Sequence, residues 1–379
     1  MQHQTLGICL LALGLCSAAS PPPSFTSPEV TPDRHVVFRI FAPNAQAVHL
    51  SSSDIFGRES KGEMTKTDSG LWEIRIGPID PGAYRYNFNV DGVAVMDPGS
   101  ASVSESLMNA WSMVYIPGAD FMETKDVPRG AVASVTYFSR SLNKFRRMHV
   151  YTPPGYETRS QKYPIFYLLH GAGDCDDSWT SVGRAGFIMD NLIAAKKAKP
   201  MVIVMPAGHT GPTDLPPTPG GLRYDDFVND FVADIMPYAE THYRVLGDRQ
   251  HRAIAGLSMG GAQAIEIAIR RASEFAYVGV FSSGIIGIVP LPGPVGVPVA
   301  SPSWEQQHQA QLDNPSSKKD LKLFWFSTGN HDFLLDTTHT TVAMFQKHGY
   351  RPVFQESEGG HTWTNWREYL NKFAPQLFQ

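Results

Sequence analysis

Between Arg252 and Gly261 the chain reads Arg-Ala-Ile-Ala-Gly-Leu-Ser-Met-Gly-Gly. A short apolar run ends at Gly256, a single serine follows, and two glycines open a run with helical spacing. This is the strand, sharp turn and helix of a nucleophile elbow, G-x-S-x-G. Such a turn strains the serine backbone, so the residues around it must be small, and Gly256 and Gly260 meet that demand. The geometry lifts the Ser258 hydroxyl above a sheet edge. It also aims the next helix's N-terminus at any oxyanion formed there. A Gly-rich turn alone matches the pattern by chance, so its weight depends on what accompanies it.

The accompaniment is an alternation of strands and helices. Met148–Tyr151, Ile165–Leu169 and Met201–Met205 are apolar runs, the last two continuous, as strands buried on both faces require. A helix is predicted from Gly186 to Ala198, and Phe227, Phe231, Val232, Ile235 and Tyr238 keep helical spacing before the elbow strand. Further strands are predicted at Val278–Phe281 and Leu323–Phe326. A helix is predicted over Thr338–Lys347, and the last helix starts near Thr364. The predicted class over 133–379 is a mostly parallel sheet flanked by helices.

The front of the chain follows another rule. Tyr84, Tyr86, Phe88 and Val90 alternate with Arg85, Asn87 and Asn89, and Asp91-Gly92 closes that strand as a hairpin turn. With the runs at Val36–Ile40, Ala47–Leu50 and Leu71–Ile76, this predicts a small all-β sandwich over 25–118, followed by a linker at 119–132. The first twenty residues hold an apolar stretch, Leu6–Leu15, too short to span a bilayer, then small residues at 16–20. They read as a secretory signal peptide, and the expected location is secreted or periplasmic. Of three cysteines, Cys9 and Cys16 fall in that leader, so only Cys175 is left for the mature chain and no disulfide can form within it. Its polar Gly/Asp loop makes Cys175 a spectator thiol. A net charge of −4 provides no electrostatic footprint for nucleic acid. No membrane span is expected.

A serine hydroxyl needs a base, and the base needs an acid to orient it, in the chain order Ser, acid, His. After Ser258, a buried strand leads into Gly329-Asn330-His331-Asp332, and a later strand leads into Gly359-Gly360-His361. Ser258, Asp332 and His361 are therefore the candidate catalytic residues, with Asp336 the rival acid. Leu168-Leu169-His170-Gly171-Ala172-Gly173 follows a buried strand and can turn a backbone N–H inward. The N–H groups of Met259 and Ala172, with Gly171 as the alternative to the latter, are the candidate oxyanion hole, and His170 is expected to order that loop. Trp179 and Trp363 lie near these motifs and are candidate substrate-binding rings. The Pro/Gly-rich stretches 211–221 and 289–302 are expected to wall the cleft. Asp174, Asp176 and Asp177 lack a second ligand cluster, so no metal and no cofactor is expected.

The span from about 131 to 379 resembles the family 1 carbohydrate esterases, which comprise feruloyl and acetylxylan esterases of the α/β-hydrolase fold. The motifs that carry the likeness are Val150-Tyr151-Thr152-Pro153-Pro154-Gly155-Tyr156, Leu168–Gly171, Arg252–Gly261, Phe281–Gly284 and Gly359–Trp363 with Trp366-Arg367. The front segment is similar to immunoglobulin-like carbohydrate-binding modules of family 48, through Phe38–Ala45, Gly70-Leu71-Trp72, Pro81–Tyr86 and Val90-Asp91-Gly92. Ser52–Arg58, where such modules often carry a stacking aromatic, has no Trp, so packing against the catalytic domain is the expected role. The resemblance implies hydrolysis of feruloyl or acetyl esters on plant cell-wall xylan, with a polysaccharide-linked ester as partner. A ferric-siderophore esterase of the same two-part build is the alternative. A secreted glycan-binding protein on an inactive hydrolase fold is a further one.

Overall fold

The strands predicted from residue 148 onward join one sheet in the computed structural model, which describes residues 23–56, 62–211, 224–290, 299 and 301–379. The leader at 1–20, most of Gly211–Gly221 and most of 289–302 fall outside the described residues. The sheet has eight strands: β1 (Ala131–Ser139), β2 (Lys144–Thr152), β3 (Ile165–Leu169), β4 (Val202–Pro206), β5 (Arg252–Leu257), β6 (Tyr277–Phe281), β7 (Leu323–Gly329) and β8 (Val353–Ser357). Their order is β1-β2-β4-β3-β5-β6-β7-β8. The first two pairings are antiparallel and the rest parallel. Strand β1 is an addition to the predicted set. It is an edge strand largely exposed on both faces, so it lacks the apolar run that marks its neighbours.

Alternation within the buried strands divides the core in two. Ile165, Tyr167 and Leu169 of β3 enter one apolar cluster, and Phe166 and Leu168 enter the other on the opposite face. Each fully buried side chain of this kind contributes about 1.5–3 kcal/mol. Parallel register then sets where the connecting loops emerge. Leu169 pairs with Gly256, and Gly329 pairs with Ser357, so the segments after β3 and β5, and those after β7 and β8, leave the sheet side by side.

The front segment folds as two packed sheets. One contains Glu29–Val30, Val36–Phe41, Leu71–Ile76 and Thr65–Lys66; the other is built around Val48–Ser51, Gly82–Val90 and Ala110–Ile116. Tyr84, Tyr86 and Phe88 fill its core with Phe38, Leu50 and Val114. The turn after that strand places Asp91 at φ 48° and Gly92 at φ 91°, as a tight hairpin demands. Arg85 and Asn87, on the other face of the same strand, are also buried, because the eight-stranded domain covers Arg85.

Residues 117–130 are a packed strap and not a free tether. Phe121 O and Glu123 O each accept from Asn191 Nδ2, and Met122 is buried in the core of the large domain. Arg367 joins the two parts: its Nη1 donates to Ala83 O at 3.0 Å and Val182 O at 2.9 Å, and burial pulls the guanidinium down to about 10. Arg367→Ala would remove both hydrogen bonds and leave a large void. The expected loss is about 3–5 kcal/mol of stability, read as a lower urea midpoint.

Candidate active site

The elbow forms because two positions cannot carry a side chain. A Cβ on Gly256 would lie 2.3 Å from Gly260 C, and one on Gly260 would lie 2.4 Å from His170 O. With those contacts open, Ser258 sits at φ 50°, ψ −119° between β5 and the helix Met259–Arg270. That conformation costs about 1–3 kcal/mol, and local hydrogen bonds hold it. Ser258 N donates to Phe281 O at 2.9 Å, and Ser283 Oγ donates to Ser258 O at 2.6 Å.

The base and the acid arrive from the paired ends of β8 and β7. Asn330 N donates to Ser357 O at 2.8 Å and His331 N to Gly359 O at 2.9 Å, lacing the two loops together. Gly359 has φ +96°, and a Cβ there would meet Asn365 Oδ1 at 2.6 Å. His361 Nε2 lies 3.0 Å from Ser258 Oγ, while Nδ1 lies 3.0 Å from both carboxylate oxygens of Asp332. A carboxylate only accepts, so Nδ1 carries the proton and Nε2 is free to receive one from the serine. Burial raises the Asp332 pKa, but the His361 hydrogen bond and charge and the Leu334 N–H outweigh it, and the carboxyl ends below its ordinary value. Asp336, on the first turn of the helix Leu335–Lys347, is exposed; the His361 hydrogen bonds go to Asp332.

The loop after β3 lies directly on the elbow: a Cβ on Gly171 would be 2.5 Å from Leu257 Cδ1 and 3.3 Å from Ser258 Cβ. His170 is buried, its Nδ1 donates to Gly171 O at 2.8 Å, and its Nε2 accepts from Gly208 N at 2.7 Å. Burial lowers its pKa, so it is a neutral clamp for the loop. Gln263, on the helix after the elbow, donates to Gly208 O at 3.0 Å and ties that clamp to the elbow helix. Ala172 is exposed at the loop tip and Met259 begins the helix. Asp174 and Asp176 are occupied by Arg85 and by Arg147 with His149, and burial pushes the Cys175 thiol up to about 11.

The two tryptophans require a correction. Trp179 is 1 % exposed and Trp363 4 %. They pack edge to face at 5.1 Å, and the Trp179 Nε1 donates to Leu169 O at 3.0 Å. These rings support the loop after β3 from beneath and present no face to a ligand. Phe333, by contrast, is 48 % exposed, with its centroid 4.5 Å from that of His361. Trp366, largely buried, packs edge to face with the imidazole at 5.0 Å. Asn365 was also missed: its Nδ2 donates to Glu358 O at 2.7 Å and holds the histidine loop.

A family described as putative esterase matches residues 139–377, and carbohydrate-binding module 48 (isoamylase N-terminal domain) matches residues 26–111. An endo-1,4-beta-xylanase/feruloyl esterase of Xylanibacter ruminicola is 30 % identical over 362 residues, covering 93 % of this chain and 46 % of that protein. The chain thus spans about half the length of that relative. A ferulic acid esterase of Anaeromyces mucronatus, solved with ferulic acid, is 25 % identical with a TM-score of 0.58, covering 69 % of this chain and 96 % of that one. The enterobactin esterase of Shigella flexneri shares the fold alone, at 15 % identity and a TM-score of 0.64 over 91 % of this chain and 93 % of that one.

Proposed function

Since the chain belongs to the putative esterase family and carries a carbohydrate-binding module 48 domain ahead of its catalytic sheet, we propose that it hydrolyses carboxylic esters on xylan, with feruloyl the favoured acyl group. One observation carries the reading: Ser258 Oγ, His361 and Asp332 form a continuous hydrogen-bonded line with 3.0 Å at each step.

In this mechanism Ser258 Oγ attacks the ester carbonyl while His361 Nε2 takes its proton, and Asp332 stabilises the imidazolium. The N–H groups of Met259 and Ala172 bind the oxyanion. Collapse breaks the ester C–O bond, with His361 returning the proton to the departing sugar oxygen. Water, deprotonated by the same histidine, then attacks the acyl-serine and releases the acid and Ser258. Phe333 supports an aromatic acyl group, since its half-exposed ring stands beside His361. A polyanionic siderophore would call for unpaired cations near the loop, and Arg85 and Arg147 both face carboxylates instead.

Methyl ferulate, acetylated xylan and a triscatecholate lactone, compared on one preparation, test the assignment. The expected order puts methyl ferulate first by kcat/KM. A lactone turned over faster than both others would replace this reading with the siderophore one.

A further inference from the structure

We propose that the β-sandwich sets the geometry of the oxyanion loop, and that Arg85 is the positioning residue through which it does so. This rests on the ester-hydrolase reading, in which Ala172 donates its backbone N–H to the oxyanion.

The peptide unit in question joins Gly171 C=O to Ala172 N–H, and because it is planar and trans, fixing the carbonyl fixes the direction of the N–H. Gly171 O accepts from His170 Nδ1 at 2.8 Å and from Asp174 N at 3.2 Å. The first of these bonds comes from within the catalytic domain. The second depends on where Asp174 is held, and Arg85 of the sandwich strand Gly82–Val90 holds it together with Ser178, whose Oγ donates to Asp174 Oδ1 at 3.2 Å. Arg85 Nη1 donates to Asp174 Oδ1 at 2.6 Å, Nη2 to Ser178 Oγ at 2.8 Å and Nε to Ser104 Oγ at 2.9 Å. Both members of the ion pair are buried, Arg85 at 8 % and Asp174 at 6 % exposure. Buried, multiply bonded arginine of this kind is geometrically fixed, unlike a surface pair.

A second bond from the sandwich reaches the same turn: Leu107 N donates to Gly173 O at 3.0 Å. The sandwich adds to the bonds that the catalytic domain itself makes to the loop. Gly171 and Gly173 contribute no side chains, and Gly173 sits at φ +80°, so the backbone on both sides of Ala172 is intrinsically permissive. One flank is clamped by His170, and the other by His209, whose Nε2 accepts from Gly173 N at 3.2 Å, together with the neighbouring domain.

The test uses the full chain, Arg85→Met and Asp174→Asn, with methyl ferulate as substrate and a trifluoromethyl ketone as a mimic of the tetrahedral oxyanion. Arg85→Met is expected to lower kcat about tenfold or more, less than deletion of a donor outright, with KM within about twofold. The ketone's Ki should rise by the same factor as kcat/KM falls. Asp174→Asn should reproduce both effects, and the double variant should lose no more than either single one. A folded Arg85→Met whose kcat and Ki stay within about twofold of the parent overturns the proposal. So does a double variant whose losses multiply. Should Arg85→Met not fold, an unchanged Ki in Asp174→Asn overturns it on its own. A parent chain that turns over no ester contradicts the functional reading instead, a separate and recognisable failure.

Discussion

Ser258→Ala is expected to reduce kcat on methyl ferulate about a million-fold, with the fold unchanged. The effect is that large because Ser258 Oγ is the hydroxyl that meets His361 Nε2, and alanine has no oxygen to offer there. What would survive is the rate from oxyanion binding and proximity alone, about a thousand-fold or more above water. The fold should survive because the conformation at 258 is imposed by the surroundings. The backbone N–H is held by Phe281 O and the carbonyl by Ser283 Oγ, and neither bond uses the serine side chain. Ferulate release followed by chromatography, with thermal unfolding in parallel, reads both quantities. Turnover within about tenfold of the parent would remove Ser258 from the mechanism.

Asp332→Asn should cost about ten-thousand-fold in kcat while changing the structure little. An asparagine amide facing His361 Nδ1 would donate where the carboxylate accepts. The imidazole would then carry its proton on Nε2 and could not take one from Ser258. The parent's pH behaviour follows from the same contact. Because His361 and the Leu334 N–H hold the Asp332 pKa below its usual 3.8, its contribution to stability is complete above that value and is lost as pH falls through the depressed one. Loss of activity at mildly acidic pH is therefore expected to come from groups other than Asp332. A pH–rate profile of the parent, set beside that of the Asn variant, checks both statements.

How much of this was readable from the chain depends on what kind of constraint each residue obeys. The elbow was legible because its steric demand is written as Gly256 and Gly260, and the strands because burial on both faces leaves uninterrupted apolar runs. Asp332 could be placed because it follows such a strand through a short loop, and His361 because a Gly-Gly loop carries it after the last, largely exposed strand. The Leu335–Lys347 helix starts three residues earlier than predicted. Its buried face is polar there: Thr338 Oγ1 donates to Ser283 O and meets Thr328, so no apolar spacing marked the turn.

Trp179 and Trp363 were misplaced because an aromatic beside a motif looks the same whether it lines a cleft or supports one. The role of Arg85 was invisible for a different reason. It and Asp174 stand 89 residues apart on separate domains, and nothing local in either segment encodes the pairing. Phe333 directly follows the acid but is itself followed by Leu334 and Leu335, so nothing in the sequence separates its exposed ring from its buried neighbour Leu334.

The most direct test of the central claim is covalent. The full chain, treated with a fluorophosphonate and digested, should show by mass spectrometry one stoichiometric adduct, on the peptide containing Ser258. Labelling should vanish in Ser258→Ala and slow strongly in His361→Ala. An adduct on a different serine, or full ester hydrolysis by a chain labelled nowhere, would contradict the account.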